Sequence, residues 1–244
     1  MKWREFEDEC ARRRDAGAPA RFWWRDDDAG PVLPELKKLL RLSRSGSVPL
    51  SLAVVPEAAE PELFRLLHDG VMVLQHGTDH RNRAAPGEKK TEYPASEPDE
   101  AALARIADGL GRLRTFAGKR FLPVLAPPWN RVRHDLLKKL PAIGIGGLSG
   151  YGPRSAAQPE PGLRQVNTHV DIVAWQAGRR FVGEDEALAL AARNLPNEEP
   201  LGWLTHHAAH DAAAWEFLER LLGLKSVLWL SAAEAFSYTP AAHG

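Results

Sequence analysis

Several common designs are excluded by what this chain lacks. It has a single cysteine, Cys10, so neither a disulfide framework nor a thiolate zinc site can be built. It has no excess charge of either sign: Lys plus Arg and Asp plus Glu both number 32. A general binder of nucleic acid or of anionic membranes would carry a basic surplus. No stretch approaches the roughly 18 consecutive apolar residues of a membrane helix. The opening run Met1-Lys2-Trp3-Arg4-Glu5-Phe6-Glu7-Asp8-Glu9 has charges where a secretory signal would need an apolar core. There are no internal repeats. The expected compartment is the cytoplasm, and the substrate something found there.

What remains is an ordinary globular composition: 244 residues, 44% of them hydrophobic. One α/β barrel or one large sandwich fits that length, so 1–244 reads as one domain with a core over about 20–236. Short apolar or aromatic runs (20–24, 48–55, 71–74, 121–125, 143–148, 165–173, 201–205 and 226–230) alternate with amphipathic stretches (33–44, 60–68, 99–116, 132–140, 184–194 and 213–222). Strand and helix in alternation predict a parallel sheet with helices outside it, and seven or eight such units close into a barrel. Two polar stretches, 81–98 and 146–162, read as long loops leaving strand ends. In a barrel, those ends form the face where catalytic residues collect.

Four polar clusters follow predicted strands directly. The first is Arg25-Asp26-Asp27-Asp28, after the aromatic Phe22-Trp23-Trp24. Three consecutive carboxylates repel one another, and a metal ion would relieve the repulsion. A solvated turn is the plain alternative. The second is His76-Gly77-Thr78-Asp79-His80, after Val71-Met72-Val73-Leu74. On a helical turn, that spacing puts both imidazoles on one face, where they can hold a divalent ion such as zinc. The third is Pro127-Pro128-Trp129-Asn130-Arg131. Its prolines stiffen the rim, Trp129 offers a flat face for a sugar ring, and Arg131 can pair with a carboxylate. The fourth is His206-His207-Ala208-Ala209-His210, a dense set of proton carriers near neutral pH. A further stretch, 166–175, alternates so that Asn167, His169 and Asp171 share a face. That face is either the polar interior near a site or a solvated edge.

This order (an Asp pair, H-x-x-x-H, a proline-aromatic segment, a late Leu-x-His) resembles the polysaccharide deacetylase superfamily, of the NodB-like or carbohydrate esterase family 4 type. The resemblance spans about residues 22–230 and implies a distorted (β/α) barrel of seven or eight strands. It implies Asp28, His76 and His80 as metal ligands, with zinc foremost among divalent ions. Asp27 becomes the general base and His206 or His207 the general acid. Pro128, Trp129, Asn130, Asp171 and Trp175 become substrate contacts. The triplet admits Asp26-Asp27 as the other register. The family's arginine motif is met only by Pro127-Pro128-Trp129, so Arg131, or else Arg25, would have to supply that charge. The implied activity is hydrolysis of an acetyl group on an acetylated carbohydrate. A carbohydrate-binding relative without catalysis, and a hydrolase of a cyclic amide, are the other readings.

Overall fold

The computed structural model describes residues 1–237; positions 238–244 of the expected domain lie outside the described residues. The strands are β1 (Ala20–Ala29), β2 (Leu50–Val54), β3 (Val71–His76), β4 (Phe121–Ala126), β5 (Gly147–Leu148), β6 (Arg164–Gln165), β7 (Val170–Asp171), β8 (Val173–Ala174), β9 (Arg180–Phe181), β10 (Leu201–Thr205) and β11 (Val227–Leu230). The helices are α1 (Trp3–Asp15), α2 (Pro34–Gly46), α3 (Pro61–Leu66), α4 (Asp99–Ala117), α5 (His134–Leu137), α6 (Glu184–Asn194), α7 (Ala212–Leu222) and α8 (Ala232–Ser237).

The main sheet runs β6-β5-β4-β3-β2-β1-β10-β7, with β11 also on β1, and every pairing in it is parallel. This is the expected distorted (β/α) barrel. Its ends are joined by one stretch of chain. Residues 164–168 bond to the β5 side through Val166 N to Leu148 O and Thr168 N to Gly150 O, and His169 N then donates to Gly202 O of β10. Among the described strands, β8 and β9 pair antiparallel, as a separate ribbon.

β1 organises the barrel. Its residues 22–26 lie beside β10. On its opposite edge Ala20–Trp23 pair with β11 and Arg25–Ala29 with β2. The apolar pattern predicted a strand ending at Trp24. The strand instead continues through the charged run, because both edges are taken and each charge has a partner. Charged residues are poor strand formers by themselves, and tertiary pairing overrides that preference.

Alternation along β1 sends Phe22, Trp24 and Asp26 toward the helices and Trp23, Arg25 and Asp27 inward. Inside the barrel Trp23 packs with Ala53, Leu74, Val124, Ala126, Val166 and Leu230, and α8 adds Ala232, Ala235 and Phe236. The Trp23 and Phe236 rings meet edge-on, with centroids 6.1 Å apart. Helix α8 escaped the sequence pattern because its six residues hold under two turns of period. Outside, Trp3, Phe6 and Cys10 of α1 join the larger core around Phe22, Trp203 and Phe217. Burial pushes the Cys10 thiol up to about 12. Among the described residues no helix is long and apolar enough to cross a membrane.

Candidate metal centre

The C-terminal ends of β1, β3, β7 and β10 bring their polar residues to one mouth. Asp28 comes from β1, His76 closes β3, and His80 follows on the next turn. The Asp28 Oδ1 atom lies 3.0 Å from His76 Nε2 and 3.1 Å from His80 Nε2. Ligands about 2 Å from a tetrahedral zinc sit about 3.3 Å from one another, so this cluster has the span of such a site. The donors, one carboxylate and two imidazoles, are those that zinc and neighbouring divalent ions take. The tautomer agrees. His76 Nδ1 donates to the Ala126 carbonyl at 2.9 Å, which leaves a neutral ring's Nε2 lone pair facing a carboxylate oxygen. Two lone pairs at that distance repel unless a proton or a cation lies between them. Where a ring proton fills that gap, hydrogen bonds from His76 and His80 hold Asp28 far below the ordinary carboxylate range. Burial there works the other way and is outweighed by His76 and His80. His80 is raised in turn, the Asp28 charge overcoming its burial.

Left-handed backbone aims these side chains. Asp28 has φ 65, where the register between β1 and β2 slips, and the bulge turns it to the side of Asp27 instead of the side of Asp26. The His76–His80 segment is not the helical turn that its spacing suggested. Gly77 and His80 have φ 60 and 57, and they curl an irregular turn that brings the imidazoles together. Gly77 also has no room for a side chain: a Cβ would lie 2.0 Å from Glu92 Oε2 and 2.6 Å from Pro128 Cγ.

Two residues that hold this centre were not singled out from the sequence. Glu92, in the 81–98 loop, is fully buried and lies under the ligand turn, where its Oε1 accepts the Thr78 amide at 2.9 Å and the Asp79 amide at 3.3 Å. Burial raises the Glu92 pKa, against the two amides that favour its charged form. Gln75 Nε2 donates to Gly77 O at 2.9 Å and to Ile106 O at 3.0 Å, tying the turn to α4. A buried carboxylate amid polar loop residues has no periodicity to betray it.

Asp27 is 2% exposed and paired with a fully buried arginine of its own strand: Arg25 Nε lies 2.8 Å from Oδ1 and Nη2 3.0 Å from Oδ2. Arg25 also donates to Ser149 Oγ at 2.6 Å, to Ser149 O at 2.8 Å and to Asn130 Oδ1 at 2.7 Å. The i, i+2 spacing on a strand, which puts both side chains on one face, was the available signal for this pair. Arg131, expected to be catalytic, does not reach the centre. It is exposed, and its Nη1 donates to Lys90 O at 3.0 Å. Arg131, on the segment after β4, contacts the 81–98 loop instead.

His206 joins from β10. Its Nε2 lies 4.0 Å from Asp27 Oδ2 and its Nδ1 3.7 Å from Asp171 Oδ1. Its burial alone would lower its pKa, but Asp171, then Asp27 and Asp28, raise it to about 9. Asp171 Oδ2 accepts the Trp175 Nε1 proton at 2.9 Å, and the Trp175 ring stands edge-on to His206 at 4.6 Å. His207 and Asp26 face away from this group. His207 Nδ1 sits 2.5 Å from Asp26 Oδ1, and Asp26 Oδ2 takes the Thr205 hydroxyl at 2.6 Å and the His207 amide at 3.0 Å. Both residues are buried on the helix side of β1. Strand alternation separates Asp26 from Asp27, and the turn after β10 separates the histidines: Asp27 and His206 face the mouth, Asp26 and His207 do not.

Of the expected substrate contacts, Trp129 lies on His80 with ring centroids 4.6 Å apart, Asn130 accepts from Arg25, and Pro128 is buried against Gly77. Trp129 and Asn130 both hold φ 55, a conformation uncommon outside glycine that marks a constrained rim. Trp175 remains 42% exposed at the mouth.

No family model matches this sequence, and no curated protein does. Solved structures do. A peptidoglycan N-acetylglucosamine deacetylase, Bc1960, solved with a hydroxamate-type benzamide, superposes with a TM-score of 0.58 at 18% identity, over 91% of this chain and 89% of that one. A family 4 carbohydrate esterase from Streptomyces lividans, in complex with acetate, gives 0.56 at 15% identity, over 91% and 97% of the two chains. A family 4 acetyl xylan esterase from Clostridium thermocellum, holding a cobalt ion, gives 0.57 at 14% identity, over 89% and 90%. The fold of this chain is therefore that of the NodB-like deacetylases and esterases.

Proposed function

We propose that this chain is a metal-dependent hydrolase that removes an acetyl group from an acetylated sugar, an N-acetyl group in the first place. One observation carries the reading: Asp28, His76 and His80 converge within 4.8 Å of one another, with Asp27 and His206 alongside. A divalent ion held by those three residues would polarise the acyl carbonyl and lower the pKa of water at the site. The residues of the chain account for the rest. Asp27 Oδ2 lies between His76 and His206, at 4.0 Å from each, placed to take a proton from the attacking water. Arg25 grips both Asp27 oxygens, which sets the carboxylate plane and leaves the outer lone pairs for that proton. His206, its pKa raised chiefly by Asp171, is placed to deliver a proton from Nε2 to the departing amine or alkoxide. Asp171 and Trp175 fix the orientation of His206 from behind.

The resemblances named above support the substrate class: the solved relatives are described as acting on peptidoglycan N-acetylglucosamine and acetyl xylan. The absence of an arginine before Pro127 favoured a binding protein without catalysis; Arg25 beside Asp27 favours the enzyme. The test is metal analysis of the purified chain, then acetate release from chito-oligosaccharides and acetylxylan with zinc, cobalt or no metal added. One bound ion per chain with metal-dependent release is the expected result. No bound ion, or full metal content in Asp28→Ala, overturns the ligand set; metal without release from either substrate overturns the activity.

A further inference from the structure

A pocket of about 520 Å³ adjoins the metal centre on the side of the 81–98 loop. It shares two walls with the catalytic group: Asn130 and Gly150, which line it, both accept hydrogen bonds from Arg25. One guanidinium therefore separates the pocket from Asp27. Lys89, Arg131 and Arg133 line it too, against a single lining carboxylate, Glu88. Arg133 is matched by Asp99, at 2.7 Å, but Asp99 is shared with Lys139, at 2.6 Å. Four cations thus face two carboxylates around a chain of zero formal charge. Lys89 has no ion-pair partner among the described residues, and Arg131 spends one Nη on the Lys90 carbonyl and keeps the rest of its fork. Val132 and Leu148 give the same cavity an apolar side. A pocket that joins a cationic rim to an apolar wall and opens beside a hydrolytic centre suits a sugar ring bearing a negative group.

We infer that this pocket binds an anionic substituent, a carboxylate or a phosphate, on a sugar unit neighbouring the one that is deacetylated, with Lys89 and Arg131 as the specificity residues. The inference rests on the hydrolase reading above and adds to it the charge of the substrate. It also gives Arg131 a use that its position permits.

The experiment compares N-acetylated chito-oligosaccharides of two to five units in three forms: neutral, oxidised at the reducing end to a carboxylate, and carrying a terminal phosphate. Acetate release by the metal-loaded full chain is measured at low salt. For at least one length, an anionic form should exceed the neutral form in kcat/KM by about three-fold, the scale of one or two partly exposed ion pairs. The excess should shrink toward unity in about 0.5 M salt, where the screening length falls to a few ångströms. The double variant Lys89→Glu, Arg131→Gln should bring the ratio to one or below. The carboxylate and phosphate arms separate the two sources of charge. A wild-type ratio of one or less for both anionic forms at every length overturns the inference and leaves the hydrolase reading intact, as does a ratio that the double variant does not change. If no oligosaccharide is hydrolysed, calorimetric titration of the metal-loaded chain decides: tighter binding of an anionic form, lost in the double variant, supports the pocket, and equal binding of all three forms overturns it.

Discussion

The Arg25–Asp27 pair gives the sharpest test of how the site is built. Both side chains are essentially excluded from water, at 0% and 2% exposure, and Arg25 satisfies Ser149 and Asn130 as well. Replacing Arg25 by Met keeps much of the volume but strands a buried carboxylate. Breaking a buried pair from one side typically costs about 3–5 kcal/mol. For a chain of 244 residues the unfolding entropy is about 0.5 kcal/mol per kelvin, so that loss lowers Tm by about 6–10 °C. Removing the second charge should restore part of it. The double variant Arg25→Met, Asp27→Asn should cost about 2 kcal/mol less than the two single variants together, because neither charge is then left alone. Urea denaturation of the four proteins, run metal-free, measures the cycle, and thermal scans give Tm. Arg131→Met, at an exposed site, is the control and should cost under about 1 kcal/mol. A Tm loss below about 2 °C for Arg25→Met, or additivity within about 0.5 kcal/mol, would refute the claim that Arg25 and Asp27 act as one unit.

Glu92→Gln should weaken metal binding by about 10–100-fold, the usual effect of losing a residue that orients ligands, because the Thr78 and Asp79 amides lose a charged acceptor; competition with a chromophoric chelator reads this directly, and unchanged affinity would show the loop to be mere packing. Zinc at about 100 times its Kd should stabilise the chain by about 2.7 kcal/mol, or about 5 °C, and Asp28→Ala should remove the shift. His206 is raised above its unfolded value of about 6.5, so its charged form contributes stability that is full below that pH and is lost as pH rises through about 9. In chelator-treated protein the wild type should therefore lose stability across that window and Asp171→Asn should lose less; the alkaline fall in kcat of the metal-loaded enzyme should move to lower pH in the same variant. Cys10, raised to about 12 and fully buried, should resist thiol reagents at pH 8 until the chain is unfolded in denaturant.

The barrel was legible in the sequence because strand and helix periods are local. Apolar runs of four to eight residues marked β2, β3, β4, β10 and β11, and the amphipathic stretches marked α2, α4, α6 and α7 nearly to their ends. Stretches with little periodicity were less legible. The run expected over 143–148 is a strand only at Gly147–Leu148, and that expected over 165–173 breaks into short pieces at the seam of the barrel. The candidate ligands were legible too, since polar clusters standing directly after apolar strands must lie at one end of a parallel sheet.

Sequence by itself indicated that the Asp26–Asp28 run, His76, His80 and a late histidine share a rim. Only the tertiary structure decided between neighbours. Which of Asp26, Asp27 and Asp28 faces inward depends on the alternation of β1 and on one left-handed residue at a bulge, set by its register against β2. Which of His206 and His207 reaches the mouth depends on the tight turn that follows β10, and the buried Asp26 holds the other. The arginine beside Asp27 is chosen by face and not by motif: Arg25 lies two residues away on the same strand face, and Arg131 turns to the 81–98 loop. Adjacent residues on a strand differ by a half-turn in direction. A one-residue ambiguity that leaves hydropathy unchanged therefore reverses which side of the sheet the chemistry faces, and the His76–His80 pair, a common spacing in sequence, meets Asp28 in one cluster only in the folded chain.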